Sequence, residues 1–333
     1  MIAALHTRWL PPLLVVASLA VFPWLGSEFY VGLAGKIMIL AIFALSLQLL
    51  VGVTGLVSLG HAAFYGVAAY ATVLLAPKYE AANMVWLLPA AVAAAVLYAL
   101  AVGALALRTK GVYFIMVTLA FAQMAYYVFH DTKLGGGSDG IYLNIKPELS
   151  FAGWQPIDMG ARLPFYYIVL LALVAVFAFL RMLLASRFGR ALAGIRGNEQ
   201  RMRAAGFATF PYKLAAFTLA GGLAGVAGFL AAFREGYVNP EMLSWHQSGA
   251  VLLMVILGGM GRLWGAVLGA FAFALLQFFF QSEYVFGEFA KHWQLLLGAT
   301  IIACVALMPE GLIGLPGQLR AWRARRKPNA SHA

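Results

Sequence analysis

A chain of 333 residues that is 63% apolar and 11% charged, with a net charge of +11, cannot clothe a soluble domain, where about 25% of residues are charged. That composition excludes a soluble enzyme, a disordered chain and a disulfide scaffold. The single cysteine, Cys304, excludes an intramolecular disulfide and a cysteine metal cluster.

Stretches free of Asp, Glu, Lys and Arg run over 9–27, 37–77, 81–107, 111–130, 163–180, 214–233, 242–261, 263–282 and 292–309. Each is long enough to cross a bilayer as a helix. The second is too long for one helix, and its glycines predict a fold-back near Gly52, Thr54 and Gly55. Ten spans result, near 9–27, 31–52, 56–77, 84–107, 111–130, 163–182, 213–233, 248–259, 263–282 and 291–309. Lipid offers no partner to an unpaired backbone amide, so stretches of this length are read as helices. The alternating polarity of barrel strands is missing. The expected fold is therefore all-α, a polytopic membrane helical bundle over 1–316 followed by a basic cytoplasmic tail at 317–333. The first span follows Arg8 and mimics a signal peptide, but no small-residue cleavage site follows, so it is read as retained.

With both termini placed in the cytoplasm, the inside segments hold 16 bases and two acids, Glu199 and Glu310. The outside segments hold seven bases and ten acids. This asymmetry follows the positive-inside rule, and the reversed orientation breaks it at almost every loop. The 52–55 turn alone carries no base to hold it at the cytoplasmic face. The basic excess reflects topology and not nucleic-acid binding, which needs a basic soluble face with interleaved aromatics.

Polar residues inside the second to fifth spans face the bundle interior or a cavity. Gln48, Ser58, His61, Thr118 and Gln123 form the candidate translocation path. His61 has no second ligand at metal-binding spacing, and no span contains an acid for a proton relay. Glycines at four-residue spacing, Gly221 and Gly225, then Gly261, Gly265 and Gly269, predict close helix packing within the chain or with a second subunit.

Three connectors are longer than turns. The outside loop 131–162 holds Gly135-Gly136-Gly137-Ser138-Asp139-Gly140. Those letters fit a dinucleotide fingerprint, but no strand precedes them and no soluble βαβ unit surrounds them. The run reads as a glycine turn with a docking surface. The inside loop 186–212 predicts a helix of about two turns, capped by Asn198, with Glu199 in its first turn and Gly206 as its stop. So short and charged a helix is marginal alone, so it needs a partner to dock against. The outside loop 234–248 combines a charge pair with the Asn239-Pro240-Glu241 turn. No phosphate loop of the form G-x-x-x-x-G-K-[ST] occurs, so any ATP chemistry belongs to another polypeptide.

Taken together, Gly55 to Tyr70 (GLVSLGHAAFYGVAAY), Gly111 to Gln123 (GVYFIMVTLAFAQ), Gly136 to Ile141 (GGSDGI), Gly189 to Phe217, Gly236 to Glu241 (GYVNPE), Val255 to Gly261 (VILGGMG) and Pro309-Glu310-Gly311-Leu312 carry a resemblance. The chain resembles the membrane-embedded permease subunits of branched-chain amino-acid ABC importers, in particular the M-type member of a heterodimeric pair. The resemblance implies a transport subunit of the cell inner membrane and not an enzyme. It implies no cofactor, metal or nucleic acid. Its implied partners are a second, H-type permease subunit, two cytoplasmic ABC ATPases and an extracytoplasmic binding protein. The implied cargo is leucine, isoleucine, valine or a related small polar solute. Urea or short-chain amide permeases share all of these motifs and remain the alternative. On this resemblance Asn198, Glu199, Arg201, Arg203, Ala205 and Gly206 belong to the segment that couples to the ATPases. Gly136, Ser138, Asp139, Gly140, Asn239 and Glu241 are candidates for docking the binding protein. Gln200, Arg201 and Met202 stand where small or apolar residues are common, and Pro211 is unusual, which implies a more acidic groove on the ATPase.

Overall fold

Charge-free sequence becomes helix along nearly its whole length. The computed structural model describes residues 15–24, 26–77, 79–151, 154–157, 162–308 and 310–315. In chain order the helices are α1 (Val15–Trp24), α2 (Glu28–Gln48), α3 (His61–Leu75), α4 (Met84–Ala106), α5 (Val112–Asp131) and α6 (Arg162–Ala185). There follow α7 (Arg187–Gly197), α8 (Glu199–Ala204), α9 (Thr209–Glu235), α10 (Trp245–Gly258), α11 (Leu263–Phe280), α12 (Glu283–Phe286) and α13 (Trp293–Leu307). Apolar helices thus occupy all ten expected segments. Among the described residues, seven helical stretches are long and apolar enough to cross a membrane, the last being the run that contains α13, while α1, α3 and α10 are shorter. The start of the first expected span and the 317–333 tail lie outside the described residues.

The centre of the bundle is α2. It packs against α6, α9, α10 and α11, and 94% of its most apolar window is buried. A helix apolar on every side suits such a position. It ends in one wide π-turn, Leu49–Thr54, and stops at Gly55, whose φ of +73° is a left-handed conformation. Residues 56–60 then run back along α2 without helical structure. Their path is fixed by His61, which meets Ser46 of α2 at 2.8 Å, about two turns before the helix ends. The expected span 56–77 is therefore helical only from His61 onward. The apolar letters Leu56-Val57-Ser58-Leu59-Gly60 hid a break that carries no charge.

The same device recurs in the opposite sense. Helix α9 also ends on a left-handed glycine, Gly236, with φ +71°. The chain then returns through an extended pair, a 3-10 turn at Pro240–Leu243 and the Ser244 cap into α10. Leu243 lies against Gly66 of α3, where a β-carbon would come within 2.3 Å of its Cγ. At 15 and 14 residues, α3 and α10 are about 22 and 21 Å long, short of the ~30 Å hydrocarbon core. Their starting ends meet: the Ala62 amide donates to Ser248 Oγ at 2.9 Å.

Glycines bring the backbones together inside this chain. A β-carbon on Gly228 of α9 would lie 2.0 Å from the Tyr65 carbonyl of α3, and those on Gly221 and Gly225 would meet Ala99 and Ala95 of α4. The α10–α11 turn is equally tight, with Gly258 against the Gly265 carbonyl and Gly269 against that of Met254. Outside the bundle, β1 (Ile141–Tyr142), β2 (Leu149–Phe151), β3 (Trp154–Ile157) and β4 (Tyr237–Val238) form two small antiparallel pairs, β1 with β4 and β2 with β3.

Candidate functional site

Three regions hold the sequence-derived site residues. The first is the knob of α7 and α8. Asn198 caps α8 as expected, its Oδ1 accepting from the Arg201 amide at 2.9 Å. The stop at Gly206 (φ +85°) is also formed, with Phe207 N–H reaching the Met202 carbonyl at 3.0 Å and Gly206 N–H that of Arg203 at 2.9 Å. This pair of bonds is the Schellman arrangement. Met202 folds back on α7, where a β-carbon at Gly194 would sit 2.8 Å from its sulfur.

Glu199 does not face outward. Its Oε1 accepts from Arg203 Nη2 at 2.5 Å, Lys213 Nζ at 2.8 Å and Thr209 Oγ1 at 2.9 Å. Thr209 and Lys213 belong to the first turns of α9, and both are buried. Burial works against the charged carboxylate, but the hydrogen bonds from Lys213, Thr209 and Arg203 outweigh it and hold Glu199 down at about 2. The carboxylate therefore clamps α8 to α9. What the knob exposes is Gln200, Arg201, Arg203 and the run from Ala204 to Ala208, with Phe210 beside it. Phe207 and Phe210 are 41% and 37% exposed. The sequence alone does not single out either aromatic, nor Thr209 and Lys213; Phe within a charged connector between apolar segments is the available signal for the first two. A cavity of about 540 Å³ lies beside the clamp, lined by Gly55, Lys110, Arg196, Glu199 and Lys213 among others.

The knob also holds the α2 turn. Arg196 of α7 donates through Nη1 to the Gly52 carbonyl, which the π-turn leaves without a helical partner. The base missing from 52–55 is thus supplied from a distant part of the chain. Gln48, a candidate for the path, also makes a structural contact here. Its Nε2 donates to the Arg262 carbonyl at 3.0 Å and to that of Gly259 at 3.4 Å. It staples α2 to the α10–α11 turn.

The second region lies where α3 begins. The structure brings Ser58, His61 and Thr118 together. Gly60 N–H donates to Ser58 Oγ at 3.2 Å, and a β-carbon on Gly60 would lie 2.2 Å from the Thr118 carbonyl of α5. All three side chains are buried. Ser46 Oγ lies 2.6 Å from the Phe43 carbonyl and 2.8 Å from His61 Nε2. His61 Nδ1 is buried with no hydrogen-bond partner among the described residues. Gln123 is not in this cluster. It lies on the open face of α5, beside Ala120, Met124, Tyr127, Val128 and Thr132 along the same helix.

The third region is the outer face, where the two candidate docking loops meet. Ile141 pairs with Val238 and Tyr142 with Tyr237. Gly140, at φ +75° and ψ −162°, is the contact point: a β-carbon there would lie 2.0 Å from the Val238 carbonyl and 2.9 Å from Asn239 Cα. Gly136, Ser138, Asp139 and Glu241 are exposed on this face, and Asn239 is half-buried. Tyr142 and Tyr237 add two exposed rings 6.0 Å apart. Among the described residues no group of three or more His, Cys, Asp or Glu is placed to hold a metal ion.

Comparison with known proteins gives this geometry a family. Residues 29–305 match the family described as branched-chain amino acid transport system / permease component. Two relatives, each a "High-affinity branched-chain amino acid transport system permease protein LivM", from Salmonella typhimurium and from Escherichia coli K12, are 32% identical over 324 residues. These alignments cover 92% of this chain and 74% of each relative. The "Xylose transport system permease protein XylH" of Escherichia coli K12 is 32% identical over 122 residues, 35% of this chain and 30% of that protein. No solved structure matches the chain. With the family match spanning most of its length and a helical bundle of the expected kind, the chain belongs to the branched-chain amino acid transport permease family, as a multi-pass membrane transport protein and not an enzyme.

Proposed function

We propose that this chain is one of two permease subunits of an ATP-driven importer for branched-chain amino acids in the cell inner membrane. A second permease subunit completes the path, two cytoplasmic ATPases drive it, and an extracytoplasmic binding protein loads it. In this reading the 1–316 domain crosses the membrane ten times with both termini inside. Loop 186–212 is then the ATPase contact, and the β1–β4 face receives the binding protein.

The observation that carries the proposal is the clamp at Glu199. A knob with exposed Arg201, Phe207 and Phe210 is tied through a buried lysine to a 27-residue helix, α9. A loop that merely anchored topology has no use for such a joint. Substrate assignment rests on the names of the LivM relatives. The path is assigned to the cluster at the head of α3 and to the open face of α5.

Arg201→Glu tests the contact. Arg201 is exposed, and its side chain takes no part in the clamp. Reversal is expected to reduce ATPase co-purification and ATP-driven leucine uptake in proteoliposomes while the chain stays folded. Undiminished uptake by this variant, or concentrative uptake by the chain as sole protein, overturns the proposal.

A further inference from the structure

At the outer ends of α2, α6, α9 and α11 lies a cavity of about 620 Å³ that the transport reading does not use. Its wall combines two chemistries. Phe29, Phe165, Phe233 and Phe278 are aromatic. Lys36, Lys146 and Arg234, with Glu28 and Glu235, are charged.

Of the charged groups, Arg234 is taken up by Glu235 and by the Gly32 carbonyl at 3.2 Å. Glu28 has a contact of its own. Lys36 and Lys146 have no hydrogen-bond or ion-pair partner among the described residues. Lys36 sits about two turns inside α2, the most buried helix of the bundle, and is nevertheless exposed. A cation at that depth needs water or an anion. The stripe of α2 that meets the cavity also lacks bulk: β-carbons on Gly32 and Gly35 would meet nothing within 4 Å. An apolar chain lying there would find room beside the helix and rings along its length.

We propose that this cavity binds one anionic phospholipid of the outer leaflet, its phosphodiester between Lys36 and Lys146 and one acyl chain against Gly32, Gly35 and the phenylalanines. Two unpaired ammonium groups favour a headgroup that brings no cation of its own, as in phosphatidylglycerol. The inference rests on the chain spanning the membrane, and not on ATP-driven import.

The test uses the full chain in nanodiscs of phosphatidylcholine with added phosphatidylglycerol, with retained lipid counted by native mass spectrometry. One phosphatidylglycerol is expected to survive delipidation. Lys36→Met and Lys146→Met are each expected to weaken its retention about fivefold, in line with the attraction of one basic residue near an anionic surface. Gly32→Leu, which leaves both lysines in place, is expected to expel it by filling the groove. Retention unchanged in the Lys36→Met/Lys146→Met double variant, equal retention of phosphatidylcholine, or displacement by inorganic phosphate or free leucine each overturns the proposal. Because Gly32→Leu keeps both lysines, its failure to expel the lipid refutes the site even if a lysine variant misfolds.

Discussion

Replacing Lys213 with methionine keeps the length of the side chain and removes its charge from the Glu199 clamp. A carboxyl held at about 2 instead of 4.5 corresponds to a net gain of about 3 kcal/mol after the cost of burial. Three donors produce that net gain, and Arg203 is half exposed, so with solvent screening Lys213 is assigned about 1–2 kcal/mol. Six residues cannot hold a helix unaided, so releasing α8 from α9 melts it. The melted population should rise about 5- to 30-fold. Hydrogen exchange at the Met202, Ala205 and Phe207 amides, all bonded within the α8 turn, reads this directly. On the proposed function, leucine carried per ATP hydrolysed should also fall in the reconstituted complex, because the ATPases would push on a loose joint. Glu199→Gln should have a similar effect, and the double variant should add little, since both single changes remove one interaction. Unchanged exchange at those amides together with an unchanged transport ratio in Lys213→Met would refute the clamp.

Other consequences can be checked separately. The folded-state carboxyl of Glu199 lies below its ordinary value, so the clamp is fully present above about pH 4.5 and is lost as the pH falls from there through about 2. Protection of α8 should therefore be flat between pH 8 and 5, and a midpoint near neutrality contradicts the assignment. Gly228→Ala places a methyl against the Tyr65 carbonyl and should cost about 1–3 kcal/mol of stability. An unaltered thermal transition would mean that α9 and α3 are not packed backbone to backbone. Gly140→Ala demands a conformation that residues with a β-carbon avoid and a clash with Val238. On the proposed function it should abolish uptake stimulated by the binding protein and spare basal ATP hydrolysis. Stimulation that survives removes the β1–β4 face from consideration.

Local signals were legible in the sequence where the structure satisfies them locally. Asn198 caps α8 and Gly206 stops it because cap and helix are a few residues apart. The ten apolar segments were legible because charge is excluded from each of them. The short lengths of α3 and α10 were not. Residues 56–60 are as apolar as a helix and differ only in ending on Gly60, which must approach the Thr118 carbonyl. Pairings across long sequence distances were equally hidden: Arg196 with Gly52, Gly140 with Val238, and Gln48 with Arg262. Gln48 is an example, since nothing in the sequence of its apolar span points to the Arg262 carbonyl as its partner.

The long-range pairs also explain how one small knob could govern the centre of the bundle. Helix α8 is fixed to α9 through Glu199 and Lys213. Helix α9 touches α3 and α4 through glycine and alanine, backbone against backbone, so little soft material lies between to absorb a shift. Helix α7 meanwhile grips the end of α2 through Arg196 and Gly52, and the 56–60 segment leads from that point directly to His61. A displacement of the knob thus reaches the head of α3 by two routes, along α9 from one side and along the unwound chain from the other. Because α9 continues through Gly236 into the segment that delivers α10, both half-length helices are attached to elements that the knob holds. On the proposed function, the part of the molecule most easily rearranged is then the meeting point of α3 and α10, where Ala62 and Ser248 share a single hydrogen bond.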